Sequence, residues 1–341
     1  MSSSIHITSP CPIFSPFSTL HEEMHTSDTP FLSGLEGTEV ITDAKPPLLL
    51  PSQTWVITEK LSERANHLTQ EEINEGLGTA ACTAAKFLCY RVGDPAKEPV
   101  FMRMYLQIPV IGTEFSNARV RAKQAAPPLS YPELTALKAL KKVGCDVVPD
   151  LLGYQEGKQD DDGIVPGGFV TYVVWEKVPG ESLTQEKFWN MELFLRDAVR
   201  KEFRGVYSIN WPRKLVQCGF EPRMATLSKL IYDEASGKMH ISGFRAACTT
   251  DKDKEWSDVN YVVYRLAKPS SKIDWYLDTN GWTWTPPALS RSKTTATSDI
   301  RSIIISPARE IAEPNEVEKR KVAAGIGVAI QVAVGGTAEV T

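Results

Sequence analysis

The stretch SKLIYDEASGKMHISGFRAA, residues 228–247, decides how this chain reads. A short β-prone run leads into a D-x-x-x-G turn at 233–237, a second run follows, and the chain leaves through Phe244. That is a tight hairpin. Asp233 suits a cap on the turn. Alternation with Met239 and Ile241 gives His240 a structural strand position rather than a catalytic one.

Working upstream, NMELFLRDAVRKEFRGVYSI (190–209) has the period of one long amphipathic helix, with RKEFR (200–204) as a solvated face. GFVTYVVWEKVPGESL (168–183) reads as a buried strand running into a Pro-Gly turn. VVPDLLGYQEG (147–157) is a strand with its turn, and the acidic QDDDG (159–163) lacks the alternating ligand spacing of a calcium loop. SYPELTALKALKKVG (130–144) predicts a helix capped by Ser130, opened by Pro132 and ended by Gly144, with Leu134, Leu137 and Leu140 facing a core. Before it, AKFLCYRV (85–92) and PVFMRMYLQI (99–108) form a hairpin that puts Phe101, Arg103 and Tyr105 on one face. Downstream, EWSDVNYVVYRLA (255–267) supplies Trp256, Tyr261 and Tyr264, and Trp275, Trp282 and Trp284 close the apolar body.

The 341 residues carry a net charge of −4, which gives no general attraction to nucleic acid. Six scattered cysteines without a CxxC pair fit reduced thiols and a cytoplasmic location. The N-terminus lacks a basic region followed by an apolar one, so no secretory signal is read. AAGIGVAIQVAVGG (323–336) falls short of the roughly 20 apolar residues a membrane span needs, so no membrane is expected. Residues 1–54 and 286–341 are rich in Ser, Thr and Pro and read as arms, with a helix expected over 313–334. Ser9, Ser15 and Ser306 precede prolines there.

The strings PDLLG (149–153), GGFVTYVVWEKVPGESL (167–183) and IYDEASGKMHISGF (231–244) together resemble kinase-like proteins of fungal genomes. These stand in the aminoglycoside/choline phosphotransferase branch of the protein-kinase-like superfamily. The resemblance covers residues 75 to 267. It implies an α+β, two-lobed fold: a β-rich N-lobe over 55–177, a compact helical C-lobe over 178–285, and flexible arms at both ends. It also implies a cleft beside the hinge residues Trp175 and Glu176.

Phosphoryl transfer needs donors over the phosphates, a basic residue reaching them, a base for the acceptor and groups that hold Mg²⁺. Gly76 and Gly78 could bring backbone N–H groups to a nucleotide, or simply serve a turn or helix cap. Arg103 falls near the family's lysine position, where its planar fork alters the geometry. Glu133 is the candidate partner for Arg103, or an ordinary helix-start glutamate. Aligned on the hairpin, EPRMATLS (221–228) sets Glu221 at the family's histidine, Arg223 at the catalytic aspartate and Ser228 at the metal-binding asparagine. Gly243 takes the place of the metal-binding aspartate. Arginine cannot accept the acceptor's proton.

The catalytic positions therefore read as degenerate. A pseudokinase that binds a small anionic ligand or a protein partner is expected, with no metal and no required cofactor, though ATP or ADP could still bind. An enzyme that works on a metabolite without magnesium is the alternative, and an atypical phosphotransferase the third. Arg223, Arg245 and Lys229 make the site basic, either as an anion site or, for Arg223, as a loop brace to Asp258 or Glu221. Asp258 is expected to tie down that loop.

Overall fold

The computed structural model describes residues 30–207, 215, 219–223, 225–250, 256–272 and 282–284. The expected helix at 313–334, Trp275 and the Ser-Pro sites lie outside these residues.

Five strands form early: β1 (Glu39–Thr42), β2 (Gln53–Asn66), β3 (Cys82–Arg91), β4 (Val100–Gln107) and, after three helices, β5 (Leu151–Lys158). The helices are α1 (Gln70–Asn74), α2 (Ala118–Ala122) and α3 (Pro132–Val143). β6 (Phe169–Glu176) completes a six-stranded sheet in the order β1-β2-β3-β4-β6-β5, antiparallel throughout. The sheet is apolar on both faces because both are covered. Ala85, Phe87, Met102, Met104 and Val174 pack with Trp55 and Ile57 on one side, against Leu32 and Phe31. On the other side Ala84, Tyr105, Val173 and Trp175 meet Leu134, Leu137 and Leu140 of α3. Neighbours such as Ala84/Ala85 and Val173/Val174 thus serve opposite cores, as the strand period of two demands.

Residues inside the presumed N-terminal arm belong to this body. β1 is an edge strand, Leu32, Val40 and Leu50 are buried, and Trp55 Nε1 donates to Thr42 Oγ1 at 3.0 Å. Serine and proline content hid a strand only four residues long.

The second half holds β7 (Glu181–Ser182), α4 (Gln185–Asn190), α5 (Leu193–Tyr207), β8 (Phe220–Pro222), β9 (Leu230–Asp233), β10 (Lys238–Ile241), β11 (Ala247–Thr249) and α6 (Val259–Val263). The expected hairpin is β9–β10, extended by β7 into a three-stranded sheet, while β11 pairs with β8. Asp233 caps its turn, accepting from the Ala235 N–H at 3.1 Å and from the Ser236 hydroxyl.

Two helical expectations need correction. Ser130 does not cap α3: the cap position is Tyr131, without a side-chain bond, and Pro132 alone sets the start. The long helix expected over 190–209 is α5, and it starts not at Asn190 but at Leu193, because Met191 is extended where α4, capped by Thr184, ends. Nor is RKEFR simply a solvated face. Arg200 is buried, its Nε donating to the Leu266 carbonyl at 2.9 Å and its Nη2 to that of Trp284 at 2.7 Å. It shares a face with Arg196, Val199 and Phe203, one helical turn apart. Buried Trp282 and half-buried Trp284 pack in the same core as Phe203, Tyr261 and Tyr264.

Candidate functional site

The hairpin β3–β4 and helix α3 bring the first group of charges together. Lys86 and Arg103 are direct cross-strand partners. Like charges so placed repel and disfavour the pairing, so each needs its own stabilisation. Arg103 has it: Nη1 donates to Glu133 Oε1 at 2.6 Å. The second carboxylate oxygen accepts the Tyr105 hydroxyl at 2.9 Å. Tyr105 in turn stacks on Tyr131 with ring centroids 3.7 Å apart. Both oxygens of buried Glu133 are thereby satisfied, which a buried carboxylate requires. Burial opposes the charge on Arg103, but Glu133 and Tyr105 together outweigh it and hold the guanidinium above its ordinary value.

Among the described residues Lys86 has no such partner. Its Nζ lies 3.5 Å from the centroid of Phe101 and 5.8 Å from that of Trp175. Burial, and then the neighbouring charge of Arg103, lower its ammonium to about 8, with Lys229 adding to the repulsion and Glu133 opposing it. Trp175 is buried beside Phe101 and within cation–π range of Arg103. Glu176 meets the start of β5 instead: its N–H donates to the Asp150 carbonyl at 2.9 Å.

The second group comes from the hairpin and its exit. Gly243 has φ +94 and opens a single 3₁₀ turn, Phe244–Ala246. Phe244 is buried in the core that α3 shares, which fixes the exit against that helix. A Cβ built at Gly243 would lie 2.5 Å from Lys229 Cδ. The lysine stem thus fills the space that a side chain at 243 would use, and its ammonium is close enough to depress that of Lys86. The Lys229 carbonyl accepts the Ser242 N–H at 2.8 Å, locking the two segments together.

The remaining sequence candidates scatter. Gly76 follows α1 at φ +76, and Gly78 lies where a Cβ would meet Leu68 Cδ1 at 2.6 Å, so one turns the chain and the other admits a leucine. Glu221 sits in β8 and accepts the Tyr207 hydroxyl at 3.2 Å. Ser228 is exposed and shares a hydrogen bond with Thr226. Arg223 is exposed and forms no ion pair with Asp258 or Glu221 among the described residues, so it braces nothing by charge. Among the described residues Asp258 has no side-chain bond to that loop; it accepts Trp256 Nε1 at 2.7 Å. His240 keeps a buried Nδ1 without a hydrogen bond, and burial lowers its pKa.

Sequence reasoning set Tyr105 on one face with Arg103 without giving it a role, and passed over Lys86 and Tyr131. Lys86 left a signal: it interrupts the apolar run CTAAKFLCY directly opposite Arg103. Among the described residues no three His, Cys, Asp or Glu side chains gather as a metal site, and no helix is long and apolar enough to cross a membrane. A hollow of about 130 Å³ lined by Leu49, Leu50, Trp55, Arg91, Lys141 and Leu151 involves none of the candidate residues.

No protein-family model matches the chain. Two curated mitochondrial proteins share short stretches. The ATP-dependent RNA helicase mss116 of Aspergillus fumigatus is 57% identical over 47 residues, 14% of this chain and 7% of the helicase. The ATP-dependent RNA helicase cyt-19 of Neurospora crassa is 53% identical over 45 residues, 13% of this chain and again 7% of the helicase. Stretches that short carry no helicase activity across. Among solved structures, the Cydia pomonella granulovirus kinase PK-1 superposes with a TM-score of 0.31 at 10% identity, over 57% of this chain and 52% of the viral one. At that TM-score the likeness carries no argument. The fold stands on its own geometry as mixed α and β, with one large antiparallel sheet.

Proposed function

We propose that this protein is a kinase-like protein with degraded catalytic machinery that binds an anionic small molecule without magnesium. One observation carries the reading. The Lys229 side chain occupies the space at Gly243, the position that aligns with the family's metal-binding aspartate. A cation there repels Mg²⁺ and attracts phosphate or carboxylate. Arg223, aligned with the base, cannot take a proton from an acceptor hydroxyl.

Two features support the kinase-like part. The strand order β2-β3-β4-β6-β5, with α3 inserted between β4 and β5, suits the small β-rich lobe. The Arg103–Glu133 pair stands where kinases set a strand lysine against a helix glutamate. That pair survives while the metal-binding end does not, which favours a retained pocket over retained phosphotransfer.

Thermal unfolding with ATP, ADP and inorganic tripolyphosphate, each with and without Mg²⁺, tests the reading. A ligand at 100 times its dissociation constant adds about 2.7 kcal/mol. Stabilisation that persists without the metal is expected and is weakened by Lys229→Ala. Stabilisation that requires magnesium would overturn the reading and reopen phosphotransfer.

A further inference from the structure

We infer that Lys86 is a nucleophilic amine that condenses with an aldehyde bearing an anionic group, the anion resting toward Lys229. The inference rests on the anion-binding reading for the position of the anion alone; the amine stands on its own geometry.

That geometry is unusual for a lysine kept for stability. Lys86 is half-buried, faces Arg103 across the sheet and forms no hydrogen bond or ion pair with any described residue. The carboxylate within electrostatic reach, Glu133, already has one oxygen on Arg103 and the other on Tyr105. The charged groups facing Lys86 are therefore Arg103 and Lys229, which repel a proton on it, and Glu133, which draws one. Its Nζ lies 3.5 Å from the centroid of Phe101, whose face favours the charged amine, so loss of the proton is driven by burial and by the facing cations rather than by the ring. A lysine lowered to about 8 carries far more free amine at neutral pH than a surface lysine, and free amine is what attacks a carbonyl.

In the step itself the Nζ lone pair attacks the aldehyde carbon and the carbonyl π pair moves to oxygen. The carbinolamine then loses one water, formed from that oxygen with protons from nitrogen and solvent, and a C=N bond remains. No oxidant or reductant is consumed. The cations that deprotonate Lys86 also suit a phosphate or carboxylate elsewhere on the same molecule.

The full-length chain, incubated at pH 7.5 with pyridoxal 5′-phosphate or with pyridoxal and then reduced with borohydride, gives stable adducts that peptide mass spectrometry assigns to individual lysines. Lys86 is expected to label at least about tenfold faster than exposed Lys201 and Lys238. The phosphorylated reagent is expected to act faster than pyridoxal, and inorganic tripolyphosphate or Lys229→Ala to remove that advantage. Lys86→Arg, which keeps the charge, loses the adduct. Labelling of Lys86 no faster than of the exposed lysines, by either reagent, overturns the amine's role and leaves the anion-binding reading intact. Preferential labelling at equal rates by the two reagents overturns the anion's place beside Lys229, and the anion-binding reading with it. Because the wild-type adduct map needs no variant, a misfolded substitution cannot mask the result.

Discussion

The two sides of the candidate site treat charge in opposite ways. On β4 and α3, Arg103 is half-buried but has both a carboxylate and an aromatic neighbour, and every oxygen of that carboxylate is used. On the hairpin side, Lys229 lies across a glycine with no ion pair among the described residues, and Arg223 is exposed. The first arrangement is self-contained. The second has no neutralising carboxylate among the described residues, and Lys86 is repelled by cations of both. The difference teaches where the proposed anion site is to be tested: Glu133 neutralises Arg103, whereas Lys229 and Arg223 form no ion pair among the described residues.

The largest effect should come from breaking the self-contained side. Glu133→Ala leaves half-buried Arg103 unpaired and is expected to lose about 3 kcal/mol in urea unfolding. The double variant Arg103→Met, Glu133→Leu should recover most of that loss. A Glu133→Ala loss below about 1 kcal/mol would make the two sides energetically alike, contrary to the comparison.

Gly243→Asp tests the open side. It forces a side chain into backbone at φ +94 and against the Lys229 stem, so a loss of about 1–3 kcal/mol is expected. Lys229→Ala in the same chain should return the steric part of it, measured by the same unfolding midpoint. If Lys229→Ala returns nothing, the lysine does not fill that space.

The pH dependence of Lys86 comes next in size. Its folded value, about 8, lies below the ordinary 10.5, so between those values the unfolded chain binds the extra proton. Stability attributable to Lys86 therefore rises with pH across that window, and its charge costs the fold most below pH 8. Allowing for solvent screening, wild type should gain roughly 1 kcal/mol relative to Lys86→Met between pH 7.5 and 10. A flat difference between the two would mean that Lys86 is not held among cations. Arg223→Ala should change stability least, within about 0.5 kcal/mol, since an exposed side chain without a partner has little to lose.

Much of the site could be read without coordinates. The Arg103–Glu133 pairing was one of two readings of Glu133, offered by the family resemblance beside an ordinary helix-start glutamate, and the Asp233 cap came from turn chemistry. Other roles could not. Arg223, Glu221 and Asp258 were grouped by their order along the chain, yet they have separate surroundings. Arg200 belonged to a charged pentapeptide, but its helical face turned it inward onto carbonyls 66 and 84 residues away. Only the fold supplies such distant partners.

The sequence by itself determined the local elements: the β9–β10 hairpin, the β3–β4 hairpin, and α3 with its proline start and glycine end. Periodicity, turn residues and caps act within a few positions, so they are written in neighbouring letters. Tertiary structure alone decided which charges meet. It set Lys86 opposite Arg103, gave Glu133 entirely to Arg103 and Tyr105, and laid Lys229 across Gly243. Electrostatic interaction depends on separation and burial in space, and neither is a property of spacing along the chain.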